Sequence, residues 1–243
     1  MGGGVVFKIL DLFSGTQSVK KGLDLLNIEY EYYGIDIYSP EEENIILDLS
    51  QDNIVEKLLE LLPKDWKPDF IWASPVCNKF SIATAVKGGT VYFEKIKNGI
   101  KPRENLEPLQ NTVYKNVTIE KIKDDTSLHL KLVENMQKIL DHYNTDFVIE
   151  NPRTSYISYF LNPLYVKNEV DYCMYGYEYQ KATSIYSNYV LNLKRCNHKG
   201  KHETKLGTNR GNKKTSKTTY AERSSVPPLL IQEILKHFIK EVE

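Results

Sequence analysis

Three acidic or thiol side chains in this sequence stand among neighbours that suit them to chemistry. Cys77 lies in Ala73-Ser-Pro-Val-Cys-Asn-Lys-Phe-Ser81. A thiol attacks as its thiolate, although a lone cysteine also serves simply as a small packing residue. Glu150 lies in Val148-Ile-Glu-Asn-Pro-Arg153, where a carboxyl group can hold or pass a proton. Asp36 stands about twenty residues beyond the turn Asp11-Leu-Phe-Ser-Gly-Thr16, the separation at which a carboxylate meets the ribose of a nucleotide bound over a glycine turn. That pattern suits an adenosine ligand; a helix-capping glycine and a surface aspartate are the plainer alternative.

Two further clusters are charged or metal-binding in type. Between Lys194 and Arg223 ten basic residues, among them Arg195, Lys199, Lys213 and Lys214, stand against Glu203 and Glu222. This stretch is either a solvated loop or a surface for phosphates. Cys196, His198 and His202 have the spacing Cys-x-His-x3-His but no clear fourth ligand in the sequence, so no metal site is assigned.

The elements that must position these residues follow from periodicity. Val5 to Phe13 reads as a buried strand, followed by a helix through Leu26 with Val19, Leu23 and Leu26 on one face. Tyr30 to Asp36 reads as a second strand. Asp52 is a candidate N-cap for a helix carrying Ile54, Val55, Leu58, Leu59 and Leu62, and Asp69 to Ala73 follows as a strand. The unit recurs with a helix over Leu128 to Tyr143 and a strand over Asp146 to Glu150. Such alternation predicts an α/β fold, a mainly parallel sheet with helices on both faces. It brings Cys77 and Glu150 to the carboxyl edge of one sheet, where open α/β sheets bind ligands.

Residues 86–123 show no sustained period and read as a long mobile insertion. Asp171 to Tyr177 and Thr183 to Leu193 read as antiparallel strands, and Val226 to Val242 as a closing amphipathic helix with Pro227 and Pro228 in its first turn. The expected organisation is a domain over 1–193, a basic segment over 194–224 and a helix over 225–243 that returns to the domain.

Composition agrees with an ordinary globular chain of 243 residues, 41% hydrophobic and 26% charged. Basic and acidic residues number 32 each, so attraction to a polyanion must be local. The odd cysteine count without a CxxC pair predicts reduced thiols and a cytoplasmic setting. Lys8 and Asp11 interrupt the first apolar run, which fits neither a membrane span nor a signal segment, and Val6 breaks the pattern of an acylation signal. A monomer with no membrane association is expected.

Four ordered segments resemble the motifs of DNA (cytosine-5) methyltransferases, particularly the compact phage and viral forms. These are Asp11-Leu-Phe-Ser-Gly, Pro75-Val-Cys-Asn-Lys-Phe-Ser, Glu150-Asn-Pro and Val226-Pro-Pro-Leu-Leu; Tyr175 to Asn188 matches a viral stretch more loosely. The resemblance implies a Rossmann-like fold that binds S-adenosylmethionine (SAM), with a small basic recognition region, acting on a cytosine flipped out of DNA. It implies Cys77 as nucleophile, Glu150 as holder of the base and Lys181 near the base oxygen or a phosphate. For the cofactor it implies Phe13, Ser14, Gly15, Asp36, Asp48, Pro75, Ser225 and Val226. For nucleic acid it implies Ser81, Arg153, Lys194, Arg195, Lys199, Lys213 and Lys214.

Val76 and Asn78 replace the family's usual proline and glutamine, and Lys181 stands where arginine is usual, giving up the bidentate fork. The stretch from Thr183 to Val226 is shorter than the family's usual recognition domain. Two other classes of function therefore stay open: an inactive homologue that binds nucleic acid, and the same chemistry on an RNA such as a transfer RNA. Lys79 and Lys181 are expected to lower the pKa of Cys77.

Overall fold

The structure is a computed structural model that describes residues 6–38, 44–199, 202 and 220–239. Its elements are β1 (Phe7–Leu12), α1 (Ser18–Leu23), β2 (Tyr30–Asp36), β3 (Asn44–Ile46), α2 (Ile54–Leu61), β4 (Phe70–Ala73), β5 (Ala85–Val86), β6 (Gly89–Thr90), β7 (Phe93–Ile96), β8 (Gly99–Pro102), α3 (Ile119–Tyr143), β9 (Asp146–Pro152), β10 (Val166–Asp171), β11 (Ala182–Ser187), α4 (Tyr220–Ser224) and α5 (Pro228–Ile239). Seven of the described strands form one sheet in the order β10-β11-β9-β4-β1-β2-β3. All its pairings are parallel except those of β11 with β9 and β10.

The period of two in β1 explains the two layers. Phe7 and Ile9 face the side covered by α1 and α5, while Leu10 and Leu12 face the side covered by α2 and α3. Gly22 lets α1 and α5 approach closely, since a Cβ there would lie 2.5 Å from Ile231 Cγ2. This contact seats the last helix beside the first loop. Among the described residues no helix is long and apolar enough to cross a membrane.

Several boundaries differ from those expected. Residues 86–123 include no long structureless loop: β5, β6, β7 and β8 make a second antiparallel sheet, and α3 starts at Ile119 instead of Leu128. Periodicity fails here because two of the strands have only two residues each. Burial of Arg103 organises the small sheet, its Nε donating to Thr90 O at 2.8 Å and its Nη1 to Asn105 O at 3.3 Å. Helix α3 begins in a polar turn whose start is marked by Thr118, its Oγ1 accepting from Lys121 N. Asp52 is not the cap of α2; that position is Asn53, and Asp52 pairs with Lys131 Nζ at 3.1 Å.

After β9 the expected pair of strands shifts. Val166–Asp171 is the strand, and Tyr172–Tyr175 turns as a 3₁₀ helix. The second strand stops at Ser187 because Asn168 Nδ2 and the Ser187 hydroxyl both bond Tyr189 O, drawing the chain out of the ladder.

Candidate active site

The carboxyl edge of the parallel strands carries all the residues expected to react. Strand β4 ends at Ala73 and feeds a loop in which Cys77 is half-buried between exposed Val76 and Asn78. The Cys77 carbonyl accepts from Phe80 N at 3.1 Å and Ser81 N at 2.9 Å, closing the loop into a tight turn. Asn151 Nδ2 donates to Pro75 O at 3.0 Å, so the strand bearing Glu150 also grips the thiol's loop. Phe80 stacks on Phe93 of β7 at 5.5 Å, which gives the small sheet a role in bracing that loop.

Topology explains why Glu150 has its neighbours. Strand β11 runs antiparallel to β9 with Ile185 opposite Glu150, so Lys181, just before β11, reaches the same edge. Strand β10 is antiparallel to β11, so its exit at Tyr172 arrives there too. Buried Tyr172 donates its hydroxyl proton to Glu150 Oε1 at 2.6 Å. Lys181 Nζ lies 3.6 Å from the same oxygen and 4.6 Å from the centre of the Tyr172 ring. Oε2 thereby keeps its acceptor capacity for a ligand. Tyr172 is a site residue that the sequence did not single out; it falls in the aromatic segment Asp171 to Tyr177, which reads as a strand.

Burial pushes the Cys77 thiol above its ordinary pKa, and the charge of Glu150 adds to that rise, while Lys181 and backbone donors pull it down. This corrects the expected lowering, because desolvation of a thiolate outweighs one nearby ammonium. Lys79 is committed elsewhere, to Asp125 Oδ2 at 2.8 Å and Tyr92 Oη at 2.9 Å. Lys181→Met should raise the Cys77 pKa further. Alkylation of Cys77 by iodoacetamide, followed against pH, should shift toward alkali in the variant; an unchanged profile would remove Lys181 from the thiol's environment.

The glycine turn after β1 is built from left-handed residues, with φ of 63° at Phe13, 42° at Gly15 and 54° at Gln17. Such backbone at non-glycine positions is held by its surroundings and concentrates at ligand loops. Ser14 N donates to Ile35 O at 3.1 Å and Gly15 N to Asp36 Oδ2 at 3.0 Å. Asp36 Oδ1 accepts from Tyr38 N at 3.2 Å, so both oxygens help shape the loop. Ser14 Oγ and Gln17 Nε2 are buried without a partner among the described residues, as polar atoms awaiting a ligand would be. Val226 N donates to Ser18 Oγ at 3.0 Å, and the hydroxyls of Ser225 and Tyr177 lie 2.6 Å apart, bringing the closing motif to this loop. Asp48 lies just beyond β3, exposed, accepting from Ser50 N at 2.8 Å.

Asp11 is buried on the α1–α5 side, where it accepts from Tyr32 Oη at 2.8 Å. Burial, opposed by that hydrogen bond and reinforced by Asp36, raises its pKa to about 8. The unfolded carboxyl loses its proton near pH 4, so from about pH 4 to about pH 8 the folded chain binds the extra proton and stability falls as pH rises. In Asp11→Asn that decline should be smaller by on the order of a few kcal/mol, read from urea unfolding at about pH 5 and pH 8. A variant with the parent's pH dependence would contradict the assignment.

The residues expected to meet nucleic acid are dispersed. Ser81 Oγ accepts from Ala83 N at 3.1 Å at the foot of the Cys77 loop. Arg153 Nη1 lies 3.9 Å from Glu169 Oε2. Lys194 pairs with Glu233 at 2.8 Å, Arg195 pairs with Asp171 at 3.0 Å and also contacts Glu169, and Lys199 is exposed. A surface pair such as Lys194–Glu233 is worth only about 0–1 kcal/mol, so a phosphate can compete for that cation, whereas Arg195 is held by the buried Asp171. Lys213 and Lys214, with most of the basic segment, lie outside the described residues.

No protein-family model matches the chain. A curated relative, "Probable DNA (cytosine-5)-methyltransferase" of Frog virus 3 (isolate Goorha), is 27% identical over 250 residues, spanning 94% of this chain and 98% of the relative. Among solved structures, the Entamoeba histolytica methyltransferase EhMeth superposes with a TM-score of 0.53 at 9% identity, covering 98% of this chain and 99% of that one. The S. pombe Dnmt2 methyltransferase gives 0.45 at 14% identity over 77% of this chain; the match spans 52% of that protein. The fold is that of a methyltransferase, and the likeness suggested by the four sequence motifs extends along nearly the whole chain.

Proposed function

We propose, from a chain that resembles DNA (cytosine-5) methyltransferases throughout, that it methylates C5 of a cytosine turned out of DNA, through a transient bond between Cys77 and the base. The observation that carries this reading is the convergence on one sheet edge of Cys77, Glu150 and Lys181, with Glu150 clamped by Tyr172. A stacked base is out of reach of such a half-buried thiol, so the base must leave the duplex, at a cost of about a few kcal/mol.

Cytosine C5 is too weak a nucleophile to take a methyl group unaided. Attack by the Cys77 thiolate forms a sulfur–carbon bond at C6, and the electron pair displaced from the C5–C6 bond makes C5 nucleophilic. Glu150 holds N3 and the exocyclic amine and shares a proton with N3, stabilising the charge that develops there. Tyr172 and Lys181 keep the carboxyl oriented. Once C5 carries the methyl group, loss of the C5 proton and expulsion of the Cys77 thiolate restore the aromatic ring.

S-adenosylmethionine, when bound, supplies the methyl group as an electrophile. The unpartnered Ser14 hydroxyl and the Phe13–Gly15 backbone suit its methionine part, and Asp36 suits the ribose hydroxyls. Asp48 would stand near the adenine amine, with Pro75, Ser225 and Val226 closing the pocket. Arg153, Ser81, Lys194, Arg195, Lys199, Lys213 and Lys214 are the proposed contacts to the DNA backbone. If six cations met phosphates, affinity would fall with salt at a log–log slope of about −5.

The deciding experiment is incubation with methyl-labelled S-adenosylmethionine and mixed-sequence duplex DNA, with RNA in a parallel reaction, followed by nucleoside analysis. Label in 5-methyldeoxycytidine is the expected result. Label confined to RNA would transfer the reading to an RNA substrate, and DNA retardation in a gel without incorporation would replace it with a binding protein.

A further inference from the structure

We propose that Cys173, Cys196, His198 and His202 form a structural zinc site that fastens the root of the basic segment to the sheet beside Glu150. The four ligand atoms all lie within 4.8 Å of one another. Zinc bonds of about 2.3 Å to sulfur and about 2.0–2.1 Å to nitrogen, at tetrahedral angles, place sulfur and nitrogen about 3.6 Å apart. Cys196 Sγ lies 3.6 Å from His198 Nδ1 and 3.4 Å from His202 Nε2. The two imidazoles cross at 80° with centres 5.2 Å apart, so both can point one nitrogen at a shared centre without stacking.

The fourth ligand is absent from any local pattern because tertiary structure supplies it. Cys173 sits in the 3₁₀ turn that follows β10, whereas Cys196 and the histidines come after β11. What joins them is Asp171, the last residue of β10, whose Oδ2 accepts from Cys196 N at 3.0 Å and from Arg195 Nε at 3.0 Å, while Oδ1 accepts from Gln180 Nε2 at 2.9 Å. Asp171 thus ties the backbone of Cys196 to the end of β10, two residues before Cys173, and so brings the two thiols together.

Two thiolates and two imidazoles select zinc over magnesium or calcium, and four protein ligands leave no open position, which marks the site as structural. On binding, each thiol gives its proton to solvent. Tyr172, which holds Glu150, is the residue directly before Cys173, so the metal would also steady the catalytic edge. The site stands on its own geometry and does not depend on the proposed reaction.

The test uses the full-length protein, freed of any affinity tag and purified without chelators. Elemental analysis should give about one zinc per chain, and replacement by cobalt should give the intense visible bands of tetrahedral thiolate coordination. Cys173→Ser and His202→Ala should lose most of the metal, while Cys77→Ser keeps it. Should the ligand variants not fold, chelator-stripped parent protein should melt lower and recover on addition of zinc. Soluble parent protein that carries no zinc and takes up no tetrahedral cobalt would overturn the proposal. So would a Cys173–Cys196 disulfide in protein isolated under reducing conditions, or equal metal loss from Cys77→Ser.

Discussion

Cys77→Ser should lower methyl transfer by on the order of 10³-fold or more while leaving S-adenosylmethionine affinity within a few fold of the parent. A serine hydroxyl in this half-buried loop ionises far less readily than a thiol already pushed upward by burial and by Glu150. It is also a poorer partner for C6, so the enamine that activates C5 does not form. Cofactor affinity is spared because the glycine turn and Asp36 are tied to each other and to β2, not to Cys77. Rates from labelled S-adenosylmethionine and affinities from calorimetry test both halves. A DNA duplex containing 5-fluorocytosine, whose C5 has no proton to lose, should remain attached to the parent and wash from the variant. Turnover within tenfold of the parent would remove Cys77 from the chemistry.

Glu150→Gln should cost about 10²–10⁴-fold in turnover, the range associated with a positioned proton-sharing group and electrostatic stabilisation. The amide keeps the size of the side chain and can still accept from Tyr172, so the fold and the Asn151–Pro75 bond should persist. It cannot share a proton with N3. The substitution also removes a negative charge that raises the Cys77 pKa, so the thiol should titrate lower and alkylate faster at neutral pH. Slower methylation together with a more reactive cysteine is a pair of outcomes that misfolding would not produce. Tyr172→Phe should give a smaller loss of about 10–100-fold, the worth of one hydrogen bond to a charged group, and rescue by added base would be absent. Full activity in Glu150→Gln would show that the carboxyl group has no part in holding the base.

Much of the scaffold was legible because it repeats one physical pattern. Strand β2 spans Tyr30–Asp36 as its alternation indicated, and β4 starts one residue from the expected Asp69. Parallel strands buried on both faces must be apolar, and the helices covering them must carry one apolar stripe, so both periods are written into the chain. The small sheet β5–β8 was not legible. Its shortest strands carry no period, and its stability rests on Arg103 reaching carbonyls at Thr90 and Asn105, a contact with no local signature. The turn at Tyr172–Tyr175 was hidden for a related reason: aromatic, strand-favouring residues were drawn inward by burial of Tyr172 against Glu150.

The amino-acid order alone sets which side chains are reactive, and it puts Cys77 just past one buried strand and Glu150 near the end of another, since parallel strands of one sheet carry their ends to a common edge. Tertiary structure decided the electrostatics and the partners. Whether the thiol's pKa rises or falls depends on burial weighed against Lys181, and whether Cys196 and two histidines have a fourth companion depends on where β10 ends. Both are sums over neighbours distant in the chain, and only the folded arrangement sets those distances.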